Sequence, residues 1–312
     1  MFRGLIAICL IFLFCCRATA QQVPEGEYVP EVQFPTFLFD AGPRVAIDEA
    51  HFNFHTVDGR YEPFANLLRR DGYRVNGLSE AFTSATLQTT DILVIVNAVN
   101  EQNESDWSLP TPSAFTDQEI AAVKCWVCNG GSLFLIADHM PFPGAAADLG
   151  ATFGVQFSNG YARPGHYERG ATDTFDSSNG LWQSEITLGR AAHEAVSQVA
   201  TFGGSAFIPP INATPVILFE YGSMSYETTK APGISDDAAE IPVEGWCQGA
   251  VFQYGMGRVA VFGEAAMFSA QLSGRNKRPM GMNAPEASQN HQLALNVMHW
   301  LSGLYDVSPQ RY

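Results

Sequence analysis

The stretch Asp91-Ile92-Leu93-Val94-Ile95-Val96-Asn97 is a continuous apolar run with a polar residue at each end. Such a run, with no alternation of polar and apolar residues, is typical of a strand that is covered on both faces of its sheet. A second run of this kind follows at Ser132-Leu133-Phe134-Leu135-Ile136-Ala137. Between the two, Thr116 and Glu119 form the capping box of a helix that stops at Gly130-Gly131. The pattern predicts a strand, a helix and a strand in succession.

The same alternation extends toward the N-terminus. Arg44 to Asp48 is predicted to be a short buried strand, and Gly59 to Asp71 a helix with aromatic and leucine side chains on one face. Another strand is expected to start at Arg74-Val75. Alternating helices and two-sided strands predict an α/β fold with a doubly wound, mainly parallel sheet of the flavodoxin or amidotransferase-like type.

The second half of the chain is more mixed. A strand is predicted from Pro215 to Tyr221, and a hairpin from Ala250–Tyr254 and Arg258–Phe262. Ser288 is expected to cap a last helix that closes at Gly303. Long polar excursions rich in Gly and Pro are expected between these elements, at about 98–115, 158–182, 222–245 and 271–287.

These elements predict a single α/β domain at 43–305, preceded by an extended lead-in at 21–42 and followed by a tail at 306–312. Hydrophobic residues make up 46% of the 312 residues and charged residues only 16%, which excludes a disordered chain. The net charge of −15 argues against a nucleic-acid partner, because binding phosphates requires a basic surface.

Residues 1–20 have the pattern of a signal peptide. Arg3 precedes an apolar run from Leu5 to Cys15, and Ala18-Thr19-Ala20 is a small-residue cleavage site. We therefore expect export to the periplasm or the extracellular space, cleavage after Ala20, and no transmembrane segment in the remaining chain. A lipoprotein attached through Cys15 or Cys16 is the alternative.

Three cysteines remain after that cleavage: Cys125, Cys128 and Cys247. We expect Cys125 and Cys128 to be buried helix cysteines or part of one structural disulfide, because the motif lies at the end of a helix and a redox motif needs its start. Whether Cys125 pairs with Cys128 or with Cys247 is left open by the sequence, as is the oligomeric state.

Polar residues follow several of the predicted strands. The first strand ends in Asp48, with His51 and His55 close behind, and the later strands are followed by Asn97, Asp138-His139 and Glu264. Ligands of open α/β sheets bind outside the carboxyl ends of the strands. The sequence therefore predicts one polar site at this edge, with a small polar or carbohydrate-type ligand.

Two chemistries suit such a site. Asp48, His51, His55, Asp138 and His139 have the side-chain types that bind a divalent metal such as zinc or manganese, whose bound water would be the nucleophile. Alternatively, His51, Asp138 and His139 act as general acids and bases without a metal, with Glu264 as a further catalytic or orienting carboxylate. A third interpretation is structural, because an Asp or Asn after a strand often caps the following turn.

The stretch from Val45 to about Phe157 resembles the class I glutamine amidotransferase-like superfamily, and within it the GldG-like and trehalose-utilisation-like branches. The resemblance is carried by Val45–Asp48, by Asp91–Ile95, and by the run from Phe115 through Trp126-Val127 to Ile136; the last helix around Asn296–Leu301 is also similar. It implies the fold rather than a reaction.

One departure from that superfamily is decisive for the chemistry. Its true amidotransferases carry a nucleophilic cysteine directly after the strand that corresponds to Leu133–Ala137, and this chain has Asp138-His139 there. A cysteine-dependent glutaminase is therefore not expected.

Two functions remain. The first is an exported hydrolase-type enzyme, with the loops at 158–182 and 271–287 as lids over the strand ends. The second is a non-catalytic ligand-binding or scaffolding domain of the GldG-like type, in which the polar residues hold loops or bind a sugar without converting it.

Overall fold

A computed structural model describes residues 22–168 and 171–306 of the chain. Its helices are α1 (Glu62–Arg70), α2 (Ser84–Leu87), α3 (Asp117–Cys128), α4 (Phe142–Thr152), α5 (Glu185–Leu188) and α6 (Asn290–Leu301). Its strands are β1 (Gln22–Pro24), β2 (Arg44–Asp48), β3 (Arg74–Leu78), β4 (Ile92–Val96), β5 (Ser132–Ile136), β6 (Gln156–Phe157), β7 (Tyr161–Arg163), β8 (Asp173–Asp176), β9 (Gln198–Thr201), β10 (Phe207–Ile208), β11 (Thr214–Leu218), β12 (Met224–Glu227), β13 (Ala239–Pro242), β14 (Cys247–Tyr254), β15 (Gly257–Phe262), β16 (Ala270–Ser273) and β17 (Arg278–Gly281).

The central sheet has nine strands, eight of them in the order β3-β2-β4-β5-β15-β14-β10-β6, with β11 also paired to β14. The first five strands of this order are parallel to their neighbours, whereas β14, β10, β6 and β11 pair antiparallel. The predicted mainly parallel α/β sheet is confirmed, and so is the hairpin, formed by β14 and β15. The hairpin places β15 beside β5, although the two strands are far apart in the sequence.

Apolar side chains cover both faces of this sheet, which explains the uninterrupted apolar runs. Val94 and Phe134 lie in one core cluster with Phe64 of α1 and Leu293 of α6. The residues that alternate with these two along β4 and β5 belong to a second core cluster, which α3 and α4 cover from the opposite side of the sheet. Alternate residues therefore face opposite layers, and both layers exclude water.

Helix α3 has the start and stop that its sequence predicts. Thr116 accepts a hydrogen bond from the backbone N–H of Glu119, and the Glu119 side chain accepts from the backbone N–H of Thr116. Just past its end, Gly130 has a φ of +111°, a conformation that favours glycine.

Helix α6 begins differently from the prediction. Its N-cap is Gln289, which makes no capping hydrogen bond through its side chain, so the expected cap by Ser288 is wrong. Ser288 instead follows a 3₁₀ turn at Pro285–Ala287 that leads directly into the helix.

The regions expected to be loops contain short strands. β7, β12 and β13 form one small antiparallel sheet, β8 pairs with β9, and β1 of the lead-in pairs with β16, which in turn pairs with β17. These strands are only three or four residues long. A segment that short shows no hydrophobic period, because long-range pairing rather than local pattern decides its conformation.

Within residues 22–168 and 171–306, no helix is both long and apolar enough to span a membrane. The predicted signal peptide at 1–20 and the end of the predicted tail, residues 307–312, lie outside the described residues.

Candidate functional site

The polar residues that follow the parallel strands do meet at one edge of the sheet. Asp48 is the last residue of β2, Asn97 directly follows β4, and Asp138 and Glu264 each come two residues after their strands, β5 and β15. These four strands are adjacent and parallel, so their carboxyl ends lie side by side. The hydrogen bonds of each side chain then decide which groups are free to act on a ligand.

His51 is held between two carboxylates of the protein. Its Nδ1 lies 2.8 Å from Oδ1 of Asp48, and its Nε2 lies 2.9 Å from Oε1 of Glu119 on α3. The rings of Phe82 and Phe115 pack against the imidazole, which is only 6% exposed. Because both ring nitrogens are occupied inside the protein, His51 joins β2 to α3 and has no nitrogen free for a metal or a substrate.

The charges of Asp48, His51 and Glu119 stabilise one another. Burial lowers the pKa of His51, but the hydrogen bonds and charges of Asp48 and Glu119 outweigh it and the net pKa is raised. Burial acts to raise the pKa of Glu119, but hydrogen bonds from Thr116 and His51 bring it down to about 2. Asp48, His51 and Glu119 therefore form an internal ionic cluster. Asn53 adds a hydrogen bond from its Nδ2 to Asp48.

Glu264 is also engaged by the protein. Its two carboxyl oxygens accept the backbone N–H groups of Ala266 (3.0 Å) and Met267 (2.6 Å) and so hold the 3₁₀ turn after β15. The side chain is 1% exposed. Burial and the charge of nearby Asp138 raise the pKa of Glu264 well above its usual value. This carboxyl supports the strand end and does not face solvent.

Asp138 and His139 occupy the edge in a different way, because both are partly exposed. The backbone N–H of Asp138 donates to Oδ1 of Asn97 at 2.9 Å, and Oδ1 of Asp138 accepts the backbone N–H of His139 at 2.7 Å. Nδ1 of His139 lies 2.8 Å from the carbonyl oxygen of Met140. A carbonyl oxygen only accepts, so Nδ1 carries the proton and Nε2 has the lone pair. Among the described residues, this Nε2 has no hydrogen-bond partner.

His55 lies beneath them as a neutral imidazole. The amide of Asn97 uses its oxygen for Asp138, so its Nδ2 faces Nδ1 of His55 at 3.3 Å. Nδ2 only donates, so the proton of His55 is on Nε2, a buried atom without a partner among the described residues. Burial, together with the charges of Arg60 and His139, lowers the pKa of His55 to about 3.

Aromatic rings surround His139. Tyr161 stacks on it with ring centroids 4.3 Å apart, and the centroids of Phe142 and Trp107 lie at 5.9 and 6.1 Å. Phe54 packs in turn on Trp107. The sequence did not indicate Trp107 or Tyr161 as site residues, since they come from the irregular segments 98–115 and 158–182 and no spacing relates them to His139.

The predicted set of metal ligands is not assembled. In the part of the chain that the structure describes, no group of three or more His, Cys, Asp or Glu side chains has an arrangement that could hold a metal ion. Asp48 and His51 are bonded to each other, and Nδ1 of His55 is bonded to Asn97, so Asp138 and His139 remain as the free groups.

Two cavities of about 790 and 210 Å³ lie elsewhere in the molecule, and neither is lined by Asp138 or His139. We use the name "strand-end site" for Asp138, His139, His55, Trp107 and Tyr161.

Comparisons with known proteins show the fold alone. No protein-family model and no curated protein sequence matches the chain. Among solved structures, the N-terminal domain of mmIFT52 superposes with a TM-score of 0.59 at 16% identity, covering 86% of this chain and 100% of that one.

Two further structures match less well. A cytoplasmic protein from Salmonella typhimurium LT2 has a TM-score of 0.46 at 12% identity, covering 85% of this chain and 99% of the other. A putative ThuA-like protein from Bacteroides uniformis has a TM-score of 0.45 at 10% identity, covering 85% and 94%. At such values the likeness extends only to a broadly similar α/β architecture.

Proposed function

We propose that this protein is a metal-independent hydrolase-type enzyme that binds a carbohydrate-type ligand at the strand-end site, with His139 as its general base. The observation that carries the proposal is the imidazole of His139, which is oriented by the Met140 carbonyl and leaves Nε2 without a hydrogen-bond partner among the described residues.

A general base needs a lone pair within reach of the ligand and a fixed ring orientation. The hydrogen bond to Met140 supplies the fixed tautomer, and the stack on Tyr161 holds the plane of the ring. The free Nε2 would take a proton from a water whose oxygen bonds to the anomeric carbon as the glycosidic C–O bond breaks, and the imidazolium would return that proton to the departing oxygen. Oδ1 of Asp138 holds the backbone N–H of His139 in place. Asn97 positions Asp138 through its backbone N–H.

The surroundings favour a sugar over other polar ligands. Trp107 is half-buried and combines an apolar ring face with a polar N–H group, whereas Tyr161 is buried with its ring stacked on His139. A sugar ring has apolar C–H faces that pack on aromatic rings and hydroxyl groups that bond to carboxylates and imidazoles.

One observation supports a second candidate, the non-catalytic binding domain. Asp48, His51 and Glu264 are all consumed by internal hydrogen bonds, which leaves few groups for catalysis. A domain of this kind would bind the sugar through the half-buried ring of Trp107 and leave it unchanged.

Both candidates are tested with the purified chain beginning at Gln21. Soluble oligosaccharides serve as binding probes in calorimetry, and nitrophenyl glycosides serve as substrates. We expect His139→Ala to reduce turnover about 100-fold or more while oligosaccharide binding persists. His166→Ala, which removes a histidine outside the strand-end site, is the matched control. Turnover that survives His139→Ala would overturn the catalytic assignment, and binding without turnover in the unchanged protein would establish the second candidate instead.

A further inference from the structure

A cavity of about 210 Å³ lies between the lead-in, the 3₁₀ turn at Ala192–Glu194 and helix α6. Three imidazoles and two carboxylates line it: His193, His291, His299, Glu31 and Glu194. It shares no residue with the strand-end site. Its volume is more than ten times the roughly 15 Å³ that a single water needs.

His299 contributes a buried nitrogen that nothing in the protein uses. Its Nε2 lies 2.7 Å from Oδ2 of Asp71 and 2.9 Å from Oγ1 of Thr36. The carboxylate only accepts, so Nε2 carries a proton and, in the neutral ring, Nδ1 has the lone pair. The side chain is 2% exposed, and Nδ1 has no partner among the described residues. Leaving a buried acceptor without a donor costs free energy, which a bound ligand would recover.

A carboxylate oxygen of Glu194 lies near that nitrogen. Nδ1 of His299 and Oε1 of Glu194 are 4.0 Å apart, which is too far for a direct hydrogen bond. A donor atom placed about 2.8 Å from each of them would subtend an angle of about 90°. An ammonium nitrogen has several N–H bonds and can donate to both acceptors at once.

The charge of the surroundings selects a cation. Asp71, Glu194 and Glu31 carry three negative charges, and Arg190, which donates to Glu194 and Thr36, carries one positive charge. These charges leave a negative balance around the cavity, and burial lowers the pKa of His291, which favours its neutral form.

An aromatic ring completes the cavity. Phe34 lines it beside His193, with ring centroids 4.7 Å apart, and presents a face that can attract a cation. Among the described residues, no three His, Cys, Asp or Glu side chains are arranged to hold a metal ion, which favours an organic cation as the ligand.

From this geometry we propose that the cavity is a second binding site, for a small organic ammonium ion whose N–H groups bridge His299 Nδ1 and Glu194 Oε1. The site stands independently of the function proposed for the strand ends.

The test is a titration of the protein with ethylammonium chloride, observed through the ring nitrogens of the histidines by NMR. We expect a saturable shift of the His299 Nδ1 resonance. Tetramethylammonium has the same charge but no N–H group, and we expect it to bind at least about tenfold more weakly, because it cannot donate to either acceptor.

A variant distinguishes specific binding of ethylammonium in this cavity from a general effect of charge screening. Glu31→Gln changes an exposed side chain, so folding is not at risk, and we expect it to weaken ethylammonium binding several-fold. His166→Ala should leave the binding unchanged. An equal response to tetramethylammonium or to sodium chloride would overturn the proposal, as would a His299 resonance that does not move at saturating ethylammonium; the cavity would then hold water only.

Discussion

Asn97 and Asp138 are joined by a hydrogen bond of 2.9 Å in which the side-chain oxygen of Asn97 accepts the backbone N–H of Asp138. The bond connects the end of β4 to the end of β5, and Nδ2 of the same Asn97 side chain faces Nδ1 of His55. Asn97 also has a φ of +48°, a conformation that asparagine tolerates better than most residues. One side chain therefore sets both the backbone and the tautomer at the strand-end site.

We expect Asn97→Ala to lower the free energy of unfolding by about 3 kcal/mol. The backbone N–H of Asp138 and Nδ1 of His55 lose their hydrogen-bond partner, and alanine is strained at this φ. Asn97→Gly removes the same hydrogen bonds without the backbone strain, so it should cost about 1 kcal/mol less. Urea denaturation measures both, and equal losses for the two variants would show that the backbone conformation contributes nothing.

Replacing His51 should destabilise the protein because it leaves Asp48 and Glu119 without their shared cation. We expect His51→Ala to lower the free energy of unfolding by about 3 kcal/mol near pH 5.5, as for other buried pairs that lose one partner. His166→Ala, at an exposed histidine, is the matched control and should change stability by less than about 0.5 kcal/mol.

The effect of His51→Ala should depend on pH. The pKa of His51 is raised in the folded protein. The contribution of His51 to the free energy of unfolding is therefore complete below the ordinary pKa of 6.5, and it is lost as the pH rises through the raised pKa. The pKa of Glu119 is lowered to about 2, so its contribution is complete above its ordinary value of 4.5 and is lost as the pH falls. The stability difference should therefore be largest between pH 4.5 and 6.5. A difference that is constant from acid to alkaline pH would contradict the ion pair.

Asn290, the first residue of α6, holds a neighbouring strand instead of capping its own helix. Its side chain bonds to the backbone N–H and C=O of Ala200 in β9 at 2.9 and 2.8 Å, and to the carbonyl of Met267. We expect Asn290→Ala to lower the free energy of unfolding by about 3 kcal/mol, because buried backbone groups lose their partners. Ser288→Ala should be close to neutral, since Ser288 is not the cap. A loss of about 1 kcal/mol for Ser288→Ala would restore the capping role.

The cysteines should divide into two reactivity classes. Among the described residues, Cys125, Cys128 and Cys247 are free thiols; the first two are exposed and the third is buried. The expectation that Cys125 and Cys128 are buried or part of a structural disulfide is therefore wrong. Burial raises the pKa of Cys247 to about 12, which suppresses its thiolate. We expect a thiol reagent to label Cys125 and Cys128 in the folded protein and Cys247 only after unfolding, as counted by mass spectrometry. Rapid labelling of Cys247 in the folded protein would contradict its burial.

Much of the central sheet could be predicted from local sequence. β4 and β5 are uninterrupted apolar runs, and α3 carries its capping box, so nearest neighbours in the sequence are sufficient to define these elements. The short strands β7, β8 and β16 could not be found this way, because their partners lie far along the chain.

The candidate site could be predicted only in part. The convergence of Asp48, Asn97, Asp138 and Glu264 follows from strand direction, which local pattern reveals. The role of each side chain does not follow from it. Glu119, which is hydrogen-bonded to Nε2 of His51, is 68 residues away from it in the sequence. The carboxylate of Glu264 accepts hydrogen bonds from the turn that follows its own strand.

The sequence by itself therefore determined the layers of the fold and the edge at which polar residues meet, because hydrophobic period and strand ends are local properties. Only the tertiary structure decided which of those polar residues are free. A buried carboxylate or imidazole must find a partner inside the protein, and that partner is chosen by packing between distant segments. This requirement turned Asp48, His51 and Glu264 inward and left Asp138 and His139 facing the solvent.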